Sequence, residues 1–465
     1  MPQTLTRRSL ACGAASWIAT TGWPDRLSPS TPSVTMKIDP IPAQKFVGFG
    51  VSQPSSIPEL TEVSRPVLHE MMDLVYRDLN VDILRLWVGS FEDWDLQRMK
   101  DEFRSSYLTH DFLSLVSSRC RARLLLAPGR RESPPSEPME AYGEKIADFI
   151  NDMQNEAGIS FHCTGVANEP EGFSSQQMVS AVISLRRKLD RLGLPNIGIV
   201  APESASASHI SAEFVRDLQA NSEAWSGLRA IATHSYNMAA DDVMAKLAVE
   251  KEYWITEVGP CFTEDPPIDE EPGDDRDAAT VAGRFLADMN HRATHWIWFI
   301  GVGAWPTFPN GGAGHALVRP DGRGGTKILL KYFYLKNLLT AFDRGAVFYA
   351  CKSSREGSMA WGYGPKPAIT AAVAVNPDQT WTLGIVNATG LLRNSIAWYS
   401  PESDYEVAVE LPWQYDGPLK IVTTDRRGTT SFESMAASAK PNFSLRLRLQ
   451  PRQLITIRSS RPNHS

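Results

Sequence analysis

The sequence has few cysteines, no long apolar run and no excess of positive charge, and each absence excludes a class of protein. Five cysteines are spread over 465 residues without a Cys-X-X-Cys pair, so neither a zinc ribbon nor a disulfide framework is indicated. Beyond the N-terminal segment, no stretch approaches the roughly 20 apolar residues that a membrane span needs. The formal net charge of −6 indicates neither nucleic acid nor an anionic membrane as a partner.

The N-terminal segment resembles an export signal. Arg7 and Arg8 precede a weakly hydrophobic run that ends at Trp23, which is the pattern of a twin-arginine signal, a bacterial export route. The alternative is a disordered tail with two chance arginines. We therefore predict that residues 1–31 are a signal with a short linker. The protein would then be exported to the periplasm or the extracellular space.

From residue 46 to 342, short apolar segments alternate with longer amphipathic ones. The apolar segments are nearly continuous in Ile, Leu, Val, Phe and Trp, which is typical of strands buried on both faces of a parallel sheet. The predicted strands are 46–51, 82–88, 123–127, 161–167, 197–201, 228–233, 253–258 and 295–300. Because a helical pattern follows each strand, the sequence predicts an α/β fold, a (β/α)8 TIM barrel.

A doubly wound open sheet is the alternative architecture, and it requires a glycine-rich phosphate loop after an early strand. Gly48-Phe49-Gly50 lacks the third glycine and a suitable following helix. After residue 343 the pattern changes to short strands between Pro, Gly, Asn and Asp turns. This predicts an antiparallel β-sandwich domain over 343–465, which a strand in 32–45 would join.

Two glutamates stand at the ends of predicted barrel strands. Glu169 follows strand four in Asn168-Glu169-Pro170, and Glu257 ends strand seven. The carboxyl ends of the strands form the active-site face of a barrel, and strands four and seven lie opposite each other. Two carboxylates placed there are the equipment for cleaving a glycosidic bond, one as acid and one as nucleophile. The alternative is that each glutamate caps a helix or pairs with an arginine.

Six motifs together resemble glycoside hydrolase family 30, the clan A group that includes glucosylceramidases, xylanases and β-1,6-glycanases. The resemblance covers nearly everything after residue 40. The motifs are Phe-Val-Gly-Phe-Gly at 46–50, Leu-Arg-Leu-Trp-Val-Gly-Ser at 84–90, Asn-Glu-Pro at 168–170, His-Ser-Tyr at 234–236, Thr-Glu at 256–257 and Phe-Asp-Arg-Gly-Ala at 342–346.

The resemblance implies a retaining β-glycoside hydrolase that works by double displacement and needs neither a metal nor another cofactor. Glu257 would be the nucleophile, and Glu169 would act first as acid and then as base. Arg85 and Tyr236 would keep Glu257 ionised, and Trp298 would pack beneath the bound sugar ring. The implied substrate-binding residues are Asn168, Arg85, Asp93, His234, Tyr236 and Trp298.

Two loops depart from the family pattern or stand apart from it. Gly129 occupies the position where the family commonly has a tryptophan after strand three, and Arg130 and Arg131 follow it. These arginines could contact a uronate or a decorated sugar, and a solvated basic loop is the alternative. The acidic segment 260–277 is a conceivable calcium site or a solvated loop. His291 and His295 have the spacing of metal ligands, but without a Glu-containing zinc motif they are expected to be structural.

We therefore predict an exported, monomeric hydrolase whose partner is a β-linked poly- or oligosaccharide. Three alternatives remain at this level. The first is a catalytically silent carbohydrate-binding protein on the same scaffold, against which the pair Glu169 and Glu257 counts. The second is a glucosylceramidase-type exo-β-glycosidase. The third is a metal-dependent barrel hydrolase, which a chelator would inactivate. Fold alone fixes no substrate.

Overall fold

The computed structural model describes most of the chain from residue 33 to residue 460. The described residues are 33–53, 60, 62–88, 95–129, 135, 138–207, 209–236, 239–259, 271–304, 315–354, 369–390, 392–393, 398–399, 402–412, 417–426, 428–435 and 444–460. Several predictions fall outside them: the export signal, Asp93, Arg130, Arg131 and residues 260–270 of the acidic segment.

Strand β1 (Ser33–Lys45) comes first, and the next eight strands close into a parallel barrel. The barrel strands are β2 (Gly48–Gln53), β3 (Ile83–Val88), β4 (Arg123–Pro128), β5 (Phe161–Gly165), β6 (Gly198–Ser204), β7 (Ala230–His234), β8 (Glu252–Val258) and β9 (His295–Phe299). Closure is complete because β9 pairs in parallel with β2, and Gly48 lies opposite His295. The predicted barrel is therefore confirmed.

Helices cover the outside of the barrel. They are α1 (Arg65–Met72), α2 (Leu96–Phe103), α3 (Phe112–Ser117), α4 (Met139–Ala157), α5 (Ser175–Arg191), α6 (His209–Ala220), α7 (Ser222–Gly227), α8 (Asp242–Leu247), α9 (Glu271–Asn290) and α10 (Leu330–Ala341). Their ends follow local rules. Ser174 and Gln177 form a capping box at the start of α5, and Gly158 ends α4 in the left-handed conformation that glycine adopts without strain. None of the described helices is both long and apolar enough to cross a membrane.

Two short hairpins and one large sheet complete the chain. The hairpins pair β10 (Val318–Pro320) with β11 (Thr326–Ile328) and β15 (Leu392–Arg393) with β16 (Trp398–Tyr399). The other strands are β12 (Val347–Ser353), β13 (Ile369–Val375), β14 (Trp381–Asn387), β17 (Tyr405–Glu410), β18 (Pro418–Asp425), β19 (Gly428–Met435), β20 (Ser444–Leu449) and β21 (Leu454–Ser459). They form one sheet in the order β19-β18-β21-β14-β13-β12-β1-β17-β20. All its pairs are antiparallel except β1 with β17, so this sheet matches the predicted sandwich-like domain.

The sheet packs against the barrel through α9 and α10. Asn290, at the end of α9, donates to Ala371 O and accepts from Cys351 N. On α10, Asn337 is hydrogen bonded to Thr424 and accepts from a buried threonine of β21. These hydrogen bonds fix the orientation of the two parts, since breaking one at the buried Asn337 would leave a buried polar group without its partner.

The barrel interior is small and apolar, and it lies directly below the mouth. Its inward-facing side chains are Ile83, Leu125, Cys163, Val200, Ala230, Ala232, Trp254 and Ile297. Because successive residues of a strand point to opposite faces, the residues two positions further along point inward at the carboxyl ends of the strands. Arg85 follows Ile83 by two positions and His234 follows Ala232 by two, so both lie just above these apolar side chains.

Candidate active site

The mouth of the barrel carries a cluster of charged and polar side chains from five strands. Each comes from the carboxyl end of its strand or from the residues that follow. They are Arg85 on β3, Asn168 and Glu169 after β5, Glu203 on β6, His234 and Tyr236 at the end of β7, and Glu257 on β8. All are buried except Glu169, whose side chain is 16% exposed.

Arg85 lies at the centre of the cluster and is fully buried. Its Nη1 donates to Glu257 Oε2 at 2.6 Å, and its Nη2 donates to Asn168 Oδ1 at 2.6 Å. Its Nε and Nη2 both donate to Glu203 Oε1, at 3.3 and 3.2 Å. One guanidinium therefore binds two buried carboxylates and an amide, which uses the fixed fork geometry that arginine provides.

Tyr236 and His234 face the two glutamates from β7. Tyr236 Oη donates to Glu257 Oε1 at 2.6 Å, so both oxygens of Glu257 accept a short hydrogen bond. His234 Nδ1 lies 3.3 Å from Glu169 Oε1, and its Nε2 lies 4.0 Å from Glu257 Oε2. One carboxylate oxygen each from Glu169 and Glu257 and a nitrogen of His234 lie within 4.8 Å of one another. The two glutamates thus flank a single small space.

The charges in the cluster shift the pKa values of their neighbours. Burial lowers the pKa of Arg85, but the charges of Glu203 and Glu257 outweigh it and raise this pKa above its usual value. Burial also lowers the pKa of His234, yet Glu257 and Glu169 raise it overall. Burial and then the charge of Glu257 raise the pKa of Tyr236 well above its usual value. The Tyr236 hydroxyl therefore stays protonated as a donor to Glu257.

The backbone at the mouth adopts left-handed conformations that side chains normally avoid. Glu169 has φ of 50° and Glu203 has φ of 60°, while Ile300, just after β9, has φ of 69°. A β-branched residue in this region is a genuine outlier. Such strain concentrates at functional sites, where the surrounding structure holds the chain in an otherwise unfavourable conformation.

Glu169, His234 and Glu257 are also the set of side chains, within the described part of the chain, whose spacing would allow a metal ion. Both oxygens of Glu257, however, are engaged by Tyr236 and by the positive charge of Arg85. A guanidinium at 2.6 Å from the carboxylate opposes a second cation there. The donor set fits an organic substrate better than a metal.

Comparison of the sequence with protein-family models finds no match, and comparison with curated proteins finds none either. Solved structures do match. The catalytic domain of the glycoside hydrolase family 30 xylanase C from Talaromyces cellulolyticus is 14% identical, with 92% of this chain and 100% of that chain covered and a TM-score of 0.64. An endo-β-1,6-glucanase is 14% identical, with coverage of 92% and 94% and a TM-score of 0.62. The family 51 arabinofuranosidase from Xanthomonas axonopodis pv. citri is 13% identical, with coverage of 92% and 100% and a TM-score of 0.57.

The fold is that of these glycoside hydrolases. The structure describes five of the six predicted substrate-binding residues, because Asp93 lies outside the described residues. Arg85, Asn168, His234 and Tyr236 meet at the mouth with the two glutamates.

Trp298 lies elsewhere than expected. It is fully buried on the outer face of β9, stacked on Trp296, and its Nε1 donates to His315 O at 2.7 Å. A side chain between the barrel and its outer layer cannot lie beneath a bound ring, which corrects the expectation from the sequence. The next residue, Phe299, points inward instead, with its ring 5.8 Å from that of Trp87.

Glu203 and Trp87 are residues of the site that the sequence reading missed. Glu203 is fully buried beneath Arg85, and Gly165 leaves room for it, since a Cβ at Gly165 would lie 1.7 Å from Glu203 Oε2. Trp87 is half-buried and inward-facing two residues after Arg85, with the guanidinium 5.6 Å from its ring centroid. The signal for both was the one that indicated the catalytic pair, namely a position at the carboxyl end of a barrel strand.

The two histidines with metal-like spacing lie away from the mouth. His295 begins β9 at the opposite end of the barrel, stacked on Trp254 with ring centroids 4.0 Å apart. His291, just after α9, contacts Ala287 O of that helix through Nδ1 at 2.7 Å. Both contacts are structural.

Proposed function

We propose that this protein is a retaining β-glycoside hydrolase, with Glu257 as nucleophile and Glu169 as acid and base. The observation that carries the proposal is the approach of the two carboxylates: oxygens of Glu169 and Glu257 lie within 4.8 Å. Retaining enzymes place the two carboxyl groups about 5–5.5 Å apart, whereas inverting enzymes leave roughly 6.5–9.5 Å for a water molecule.

In the first step Glu257 Oε attacks the anomeric carbon, and the bond to the leaving oxygen breaks as Glu169 gives that oxygen its proton. A covalent glycosyl-enzyme results, with Glu169 now ionised. In the second step Glu169 takes a proton from water, and the resulting hydroxide equivalent displaces Glu257 from the anomeric carbon. Arg85 and Tyr236 stabilise the carboxylate that Glu257 must present before the first step and recover after the second.

In this mechanism Asn168 would bind a hydroxyl group of the sugar. Its Oδ1 accepts from Arg85, which fixes the orientation of the amide, and its buried Nδ2 has no partner among the described residues. A sugar hydroxyl next to the anomeric carbon would accept from Nδ2, and such a bond strengthens as the transition state forms. Trp87 and Phe299 supply apolar surface at the same mouth.

We infer that this protein is exported and that its substrate is a β-linked poly- or oligosaccharide outside the cytoplasm. Two considerations support this class: the signal-like residues 1–31, and the xylanases and endo-β-1,6-glucanase among the structures with this fold. Cleavage needs no cofactor in this mechanism, and one chain contributes all the groups that the two steps use.

The test is sugar release from a panel of β-linked glycans and aryl β-glycosides by wild type, Glu257→Gln and Glu213→Gln. Glu213 is an exposed glutamate on α6, so Glu213→Gln is a matched control for the loss of one carboxylate. Activity that disappears only in Glu257→Gln, with product of β configuration by NMR at early times, supports the proposal. Product of α configuration contradicts retention. Sugar binding by a protein that releases nothing from any substrate would instead indicate a carbohydrate-binding protein.

A further inference from the structure

Helix α9 carries two buried charged residues that the proposed reaction does not use. Arg284 is 2% exposed and Asp288 is fully buried, and both face the outer side of β7. Asp288 Oδ1 accepts from Ser235 Oγ at 3.2 Å and from Ala240 N at 2.8 Å, and its Oδ2 accepts from Trp296 Nε1 at 2.9 Å. Arg284 Nη1 donates to Ser235 O and to Tyr236 O.

These contacts act on the backbone that carries two residues of the active site. His234 and Tyr236 point inward to Glu169 and Glu257, so Ser235 between them points outward, toward α9. The regular pairing of β7 with β8 shifts register just before His234. Beyond that point Ser235 keeps one backbone hydrogen bond to β8, from its N to Glu257 O at 3.0 Å, and an isolated bridge to Ser206. Helix α9 adds the contacts of Asp288 and Arg284 with this segment.

We infer that Arg284 and Asp288 are positioning residues that hold the segment His234–Tyr236, so that Tyr236 Oη and His234 Nδ1 reach the two glutamates. The inference rests on the proposed function, because it assigns a role in that reaction. Neither residue touches the space between Glu169 and Glu257. Each acts through the backbone or side chain of the segment, or through Trp296 of β9.

The surroundings of Asp288 make this support sensitive to pH. The ionisable groups around it are Arg284 on the same helix, whose charge acts on Asp288, and Tyr253 on β8, on which the charges of Asp288 and Asp241 act. Burial raises the pKa of Asp288 to about 6, although its bonds to Ala240, Trp296 and Ser235 oppose the shift. Protonation of Asp288 removes the charge of the acceptor, so its hydrogen bonds from Ser235, Ala240 and Trp296 weaken.

The test compares Asp288→Asn and the milder Ser235→Ala with wild type, on a substrate whose cleavage Glu257→Gln has abolished. Asn keeps the shape of Asp but removes one acceptor oxygen. We expect Asp288→Asn to lower kcat about tenfold with KM little changed, the effect of weakening one hydrogen bond to a charged group. The acidic limb of kcat/KM should move to higher pH, because the Tyr236 hydrogen bond favours ionised Glu257. Ser235→Ala should shift it the same way by less.

Two controls separate positioning from stability. Asn290→Ala removes two part-buried hydrogen bonds between the same helix and the sheet, so it should lower Tm without moving the acidic limb. Tyr236→Phe should move the limb as Asp288→Asn does. If Asp288→Asn and Ser235→Ala lower Tm but leave kcat and the limb as in wild type, while Tyr236→Phe shifts the limb, the positioning role is refuted. Failure of the proposed function would show separately, as activity that Glu257→Gln retains.

Discussion

Removal of Arg85 should destabilise the protein, and removal of Glu203 should then partly restore it. The guanidinium of Arg85 binds Glu203 at 3.2 Å and Glu257 at 2.6 Å, and these carboxylate side chains are 0% and 4% exposed. Arg85→Met fills much of the same volume but leaves both carboxylates without a cation. The loss of one partner from a buried ion pair costs about 3–5 kcal/mol.

Glu203→Gln has opposite effects in the two backgrounds. With Arg85 present, it weakens one charge-assisted interaction, while Glu257 and Asn168 still satisfy the guanidinium, so a loss of about 1–3 kcal/mol is expected. In Arg85→Met it removes one of two uncompensated buried carboxylates. The same substitution should therefore stabilise the single mutant by about 1–3 kcal/mol.

The assay is urea unfolding of the four proteins of this double-mutant cycle. It is done at pH 8, where protonation is least able to neutralise a buried carboxylate and so hide the cost of its charge. Tryptophan fluorescence and far-UV circular dichroism should be followed together, because a barrel with a second domain need not unfold in one step. The exposed pair Arg187 and Glu223 serves as the control cycle, and its coupling should stay within about 0–1 kcal/mol.

The decisive quantity is the sign of the Glu203→Gln effect in the Arg85→Met background. A double mutant less stable than Arg85→Met, by as much as Glu203→Gln costs alone, would mean that the two sites are independent. The guanidinium would then not be the counter-charge of Glu203, and the interpretation of the cluster as one electrostatic unit would be wrong.

Three further results are expected. Tyr236→Phe should lower kcat/KM about tenfold or more and move its acidic limb to higher pH, since Glu257 loses a hydrogen bond to its ionised form; a pH–rate profile checks this. Phe299→Ala should raise KM with Tm little changed, whereas Trp298→Phe should lower Tm and leave KM unaffected, which kinetics and calorimetry together decide. His315→Gln should flatten the fall of stability in acid. Burial, then Lys331 and Arg284, lower the pKa of His315 to about 3. Below pH 6.5 His315 therefore binds a proton in the unfolded chain but not in the native protein. The free energy of unfolding then falls by up to about 1.4 kcal/mol for each pH unit. Melting curves of wild type and His315→Gln from pH 4.5 to 7.5 measure the difference between the two proteins.

The barrel could be predicted because its strands are buried on both faces and read as continuous apolar runs. The same property explains the error at Trp298. A strand with apolar residues at every position shows no alternation, so the sequence does not reveal which residues face inward. Only the contacts of Trp296 with α9 and of Phe299 with Trp87 settle the parity of β9.

Glu203 escaped prediction for a different reason. The predicted strand five ends at Ala201, where the apolar run stops, and Pro202 follows it. The structure continues β6 through Pro202 to Ser204, with a shift of register that turns Glu203 toward Arg85. The role inferred for Asp288 could not be predicted from the sequence, because its partner Ser235 lies 53 positions away. The helical pattern around residue 288 shows only that a polar residue stands there.

The different surroundings of the two glutamates support the roles proposed for them. Glu257 is almost completely buried, and donors bind both of its oxygens, from Arg85 and from Tyr236. These two donors hold the Glu257 carboxylate in place on the wall of the mouth, as a nucleophile requires. Glu169 is more exposed, and the imidazole of His234 contacts it at 3.3 Å. It can therefore exchange a proton with a leaving group or with water. When two carboxylates share one site, this difference in environment divides the work of acid and nucleophile between them.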